Sequence, residues 1–106
     1  MAAQASLVDD YFSAIVDMGF VTSQVWARRQ LEDLFDGVEI TDKRILDIGG
    51  GSGIYSFYAA CRGAREVICL EPEAAGSLSG VTSTFEKIRE RLPDANVTLD
   101  SRIIQE

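Results

Sequence analysis

The stretch Arg44-Ile45-Leu46-Asp47-Ile48-Gly49-Gly50-Gly51-Ser52-Gly53 constrains this chain more than any other, because a short apolar run opens directly into four closely spaced glycines. Ile45, Leu46 and Ile48 supply the apolar, largely β-branched character of a strand covered on both faces in a parallel sheet. The glycines then let the backbone turn tightly and approach a ligand where a Cβ would collide. A helical stretch from Ile54 to Arg62 follows, with Gly63 as its stop. Next comes a second apolar strand, Glu66-Val67-Ile68-Cys69-Leu70, which closes on Glu71. Strand, helix and strand in this order predict an α/β architecture with a parallel sheet.

Glycine spacing narrows the kind of loop. A dinucleotide fingerprint requires G-x-G-x-x-G, and no register supplies it: from Gly49 the sixth position is Ile54, and from Gly51 it is Ser56. The pattern that does fit is Asp-x-Gly-x-Gly-x-Gly, formed by Asp47, Gly49, Gly51 and Gly53. This segment resembles motif I of the class I, S-adenosylmethionine-dependent methyltransferases. The resemblance implies that Asp47 lies near the methionine end of the cofactor, where negative charge suits its sulfonium and ammonium, and that Gly49, Gly50, Gly51 and Gly53 form the loop beneath it. It further implies that Glu71 binds the ribose hydroxyls, which a carboxylate can accept from together. Glu71 follows Gly49 by twenty-two positions, close to the roughly 20 expected between loop and ribose acid in such a unit. By the same resemblance Pro72 flanks the adenine. The adenine loop would fall near Ser101 to Ile103, where no carboxylate stands, with Asp100 slightly early and Glu106 slightly late, so that contact stays unassigned.

A phosphate ligand would call for a bare helix N-terminus and a basic residue, and no Gly-Lys-Ser/Thr follows these glycines. The chain contains no histidine, which removes the usual general base and the commonest metal ligand. A metal centre is therefore not expected. Net charge is −7, which discourages a nucleic-acid or anionic-membrane partner. The basic clusters Arg28-Arg29 and Lys87-Arg89-Arg91 are interleaved with acids at helical spacing and read as solvated faces, with Arg28/Glu32 and Arg29/Asp33 four apart. Cys61 and Cys69 lack a C-x-x-C spacing and have apolar neighbours, so they read as reduced, buried thiols of a cytoplasmic protein. Apolar stretches fall well short of the roughly 18 residues of a spanning helix.

With 106 residues and 46% apolar content the chain has material for one modest core. Two helices are expected before the first strand. One runs from Ser6 to Met18, with Ser6 and Asp9 as a variant capping box and Gly19 as its stop. The other runs from about Ser23 to Asp36, capped by Thr22 or Ser23 and ended by Gly37. Tyr11, Phe12 and Trp26 lie on these helices, as core or as the wall of an acceptor site. A last helix is expected at about Thr82 to Leu92, with Phe85, Ile88 and Leu92 as its buried stripe, and a third strand near Val97 and Leu99. The division is residues 1–37 as N-terminal helices and 43–106 as a βαβαβ half binding S-adenosylmethionine, together a single partial domain.

The expected fold is thus Rossmann-like and incomplete: strands in the order 3-2-1 with helices, preceded by two more helices. In the complete class I fold strand one is central, whereas here it would be an open edge, which proteins ordinarily cover. The resemblance therefore implies a fragment of a longer methyltransferase, or an edge closed by a homo-oligomer or partner chain. Catalytic residues, supplied in the family by the missing half, cannot be named. Methyl transfer draws much of its rate from proximity and orientation. The acceptor is unidentified, with a small molecule favoured by the chain's acidity. Two other functions compete: a noncatalytic methyltransferase-like module that binds cofactor or a protein, and a nicotinamide-dependent oxidoreductase domain, which Glu71 would suit but the glycine spacing does not.

Overall fold

A computed structural model describes residues 2–48, 52–71 and 81–100. Its elements run α1 (Ala2–Asp17), α2 (Gln24–Leu34), β1 (Arg44–Ile48), α3 (Ile54–Cys61), β2 (Glu66–Leu70), α4 (Val81–Arg91) and β3 (Val97–Asp100). The strands form one parallel sheet in the order β1-β2-β3. This is a small α/β fold with a three-stranded parallel sheet and four helices, the arrangement of a partial Rossmann-like unit.

Helix ends follow local chemistry. α1 begins earlier than the Ser6 cap anticipates, so Ser6 lies inside the helix. It ends in a Schellman arrangement: Gly19 takes φ +81°, its N–H donates to Val16 O, and the Phe20 N–H donates to Ile15 O. α2 is capped by Ser23, whose hydroxyl accepts from the Trp26 N–H at 3.3 Å.

Alternation in the strands decides which face is buried. Ile45, Asp47, Val67, Cys69, Val97 and Leu99 face the helices, with Val67 and Cys69 fully buried and Val97 nearly so. α3 lies directly on this face, and Ser56 to Cys61 are all buried between the sheet and α1. Tyr11, Phe12 and Ile15 supply the inner face of α1. The Tyr11 ring stands 5.0 Å from Phe12 and 5.6 Å from Tyr58, and its hydroxyl donates to Ile54 O at 2.8 Å. Tyr11 and Phe12 are therefore core. Trp26 is not: it is 59% exposed, because Ala27 and Leu31 form the face of α2 that turns inward.

The charged pairs follow the helical spacing in part: Arg89 meets Glu86 three residues earlier at 3.9 Å, while others join separate elements. Arg28 reaches Asp9 on α1 at 2.7 Å and covers the Phe12 ring at 4.5 Å, so it joins two helices. Arg89 is not simply solvated: it stacks on Phe85, 5.1 Å from the ring centroid, and donates to Val97 O, tying α4 to β3. Arg65 forks onto Asp42 at 3.1 Å through two bonds. Asp42 sits at φ +61° where the chain enters β1.

Both cysteines are buried free thiols. Burial, reinforced by the Asp10 charge, pushes Cys61 up to about 12 from an ordinary 9.0. Burial also raises Tyr11. A folded-state value above the unfolded one means that the stabilisation is complete below the unfolded value and is lost as pH rises through the folded value. Urea unfolding is therefore expected to show stability falling between about pH 9 and about pH 12; a flat profile across that window would contradict the burial of these groups.

Candidate functional site

In open parallel sheets, ligands bind outside the carboxyl ends of the strands. Two of the anticipated site residues lie there, at the ends of neighbouring strands. Asp47 is the penultimate residue of β1 and is opposite Cys69 of β2 in the register. Glu71 directly follows β2, is 7% exposed, and its N–H donates to Asp100 O at 2.8 Å. Glu71 is thus held against β3 and is not a solvated strand-end acid.

Gly53 is described as well. It caps α3 at φ +89° and is buried. A Cβ built there would meet Phe85 Cδ2 at 2.8 Å, Phe85 Cε2 at 3.1 Å and Phe57 Cδ2 at 3.2 Å. Glycine is needed at this position for the left-handed turn and for two core rings, independently of any ligand. Gly49, Gly50, Gly51 and Pro72 lie outside the described residues, as does the adenine loop anticipated at 101–103.

The structure adds two neighbours that sequence reasoning did not single out for this site. Ser56, three residues into α3 and 1% exposed, donates to Asp47 Oδ2 at 2.6 Å. Cys69 lies opposite Asp47; burial raises its thiol, a hydrogen bond with Ser56 pulls the other way, and the Asp47 and Glu71 charges raise it further. The available signal for Ser56 was its place in the first turn after the glycine loop, but serine in a helix has too many uses for that to mark it.

Beside Asp47 and Ser56 opens a cleft of about 210 Å³, walled by Phe35, Ile45, Leu46 and Tyr55. Tyr55 also borders a second cleft of about 200 Å³ that includes Ile15, Trp26 and Leu31. Each is smaller than the roughly 300–1,000 Å³ of an enclosed small-molecule site. Leu46 and Ile48, 55% and 59% exposed, mark the sheet face turned away from the helices. Among the described residues β1 pairs only with β2, so its other edge is open. No helix there is long and apolar enough to cross a membrane.

Fold and strand ends together define an α/β unit with two acidic residues at the carboxyl edge of a parallel sheet. No family model matches the chain. Over 66 residues it is 36% identical to a ribosomal protein L11 methyltransferase of Prochlorococcus marinus (strain AS9601), a match that takes in 62% of this chain and 22% of that protein. The chain thus spans about a fifth of that relative, and the similarity supports a relationship to methyltransferases.

Proposed function

We propose that this chain is the N-terminal, S-adenosylmethionine-binding part of a class I methyltransferase. The observation that carries this reading is the placement of Asp47 and Glu71 at the carboxyl ends of neighbouring parallel strands, with α3 starting at a left-handed Gly53 between them in the chain. Asp47 faces the cationic methionine end, Gly49, Gly50, Gly51 and Gly53 form the loop beneath the cofactor, Glu71 accepts from the ribose hydroxyls, and Pro72 flanks the adenine. S-adenosylmethionine brings a methyl group on a good leaving group. The protein's part is then to bind and orient it and to exclude water.

On this reading residues 1–37 are the N-terminal helices and 43–106 the cofactor-binding half. The open β1 edge and its exposed Leu46 and Ile48 are covered by the rest of a longer protein, by a second copy or by another chain. The acceptor is a small molecule, in keeping with the net charge of −7. A protein acceptor is the second reading, favoured by the name of the relative, which carries ribosomal protein L11. Retention of cofactor binding without transfer would make the chain a noncatalytic module of the same fold.

Calorimetric titration of the folded chain with S-adenosylhomocysteine, in parallel with NADH, tests the assignment. Saturable binding of S-adenosylhomocysteine, lost when Gly51→Val obstructs the loop, is the expected result. Preference for NADH would move the chain to the nicotinamide-dependent oxidoreductases, and binding of neither would withdraw the cofactor site.

A further inference from the structure

We infer that Ser56 is the positioning residue of this site, holding one oxygen of Asp47 so that the carboxylate is aimed at the ammonium of the methionine end. The inference rests on the cofactor reading above and adds a residue to it. Its geometry is specific: an O–H···O⁻ bond of 2.6 Å is in the short range of charge-assisted hydrogen bonds. The partners stand nine residues apart on either side of the glycine run, so the bond ties the end of β1 to the first turn of α3 across the loop.

Burial makes the choice of serine informative. Ser56 heads a run of buried residues, Phe57, Tyr58, Ala59, Ala60 and Cys61, where an apolar side chain would ordinarily serve. Leaving a hydroxyl there without a partner would cost about 1–3 kcal/mol, so it persists only with its bond made. Among the described residues Ser56 and Glu71 are the buried polar or charged positions, and both lie by the carboxyl ends of the strands. Cys69 completes the arrangement. It lies opposite Asp47 in the register, and its thiol is fully buried beside the Ser56–Asp47 bond. The bond from Ser56 leaves the carboxylate with a fixed orientation before a ligand arrives.

Two ligands separate positioning from general stability. S-adenosylhomocysteine carries the ammonium and carboxylate of the methionine end, whereas 5′-methylthioadenosine keeps adenine, ribose and sulfur but lacks both. In calorimetry on the full chain, Ser56→Ala is expected to weaken S-adenosylhomocysteine about tenfold and to leave 5′-methylthioadenosine within about twofold. Ser56→Thr, which keeps the hydroxyl, restores the first affinity. Should Ser56→Ala fail to fold, Ser56→Cys keeps the volume with a weak donor and is expected to lose affinity for S-adenosylhomocysteine alone. Unchanged affinity for S-adenosylhomocysteine, or equal losses for both ligands, overturns the inference while the cofactor reading stands. A wild-type chain that binds neither ligand overturns both.

Discussion

Gly53→Ala is expected to destabilise the fold by about 2–5 kcal/mol, a large share of the roughly 5–15 kcal/mol of a typical domain. Two costs combine. A non-glycine residue in the left-handed region costs about 1–2 kcal/mol, and Gly53 sits at φ +89°. The added methyl would also stand 2.8 Å from Phe85 Cδ2 and 3.2 Å from Phe57 Cδ2. Both rings are fully buried and 5.0 Å apart at their centroids, so neither can yield without disturbing the other. Overpacking of this kind costs about 1–3 kcal/mol. The thermal midpoint should fall by about 10 °C or more. Gly37→Ala provides the control, since Gly37 shares a positive φ of +80° but has nothing within 4 Å of its would-be Cβ; only the backbone cost applies there. Equal midpoints for the two variants would mean that the Phe85 contact is slack and that Gly53 is constrained by φ alone.

Glu71→Ala is expected to weaken S-adenosylhomocysteine about ten- to hundredfold, the equivalent of about 1.5–3 kcal/mol for hydrogen bonds to a charged group. In contrast to the Ser56 variants, the loss should extend to 5′-methylthioadenosine, because the ribose is common to both ligands. Circular dichroism must show that the variant keeps its fold, since Glu71 is buried and the backbone beside it pairs with Asp100. A folded Glu71→Ala chain that binds both ligands as wild type would remove Glu71 from the site and take with it the main support for a ribose-binding strand end.

The strands and α3 were legible because each is announced within a few residues. Ile45, Leu46 and Ile48 before a glycine run, Gly63 after a helical stretch, and Val67 to Leu70 before an acid are local signals, and the elements appear where those signals stand. Boundaries differ by a few residues where a serine with a cap-like spacing lies inside a helix, as at Ser6. The candidate site was legible only as a list. Motif spacing selected Asp47, Gly53 and Glu71, but not the bond from Ser56 to Asp47, nor the distinct reason why Gly53 must be glycine. Arg28 shows why: helical spacing offered it Glu32, yet the packed pair of helices brings Asp9 to 2.7 Å.

What the sequence by itself determined is therefore the order and type of elements and the parallel α/β class, since hydrophobic period, capping and left-handed glycines act through neighbours along the chain. Tertiary structure alone decided which sheet face carries the helices, leaving Leu46 and Ile48 exposed, which aromatic rings close on Gly53, and which hydroxyl holds Asp47. Those outcomes join residues distant in the chain, Gly53 with Phe85 and Asp17 with Arg91 among them. Such pairs meet only when packing of the whole core repays the entropy of closing the chain between them.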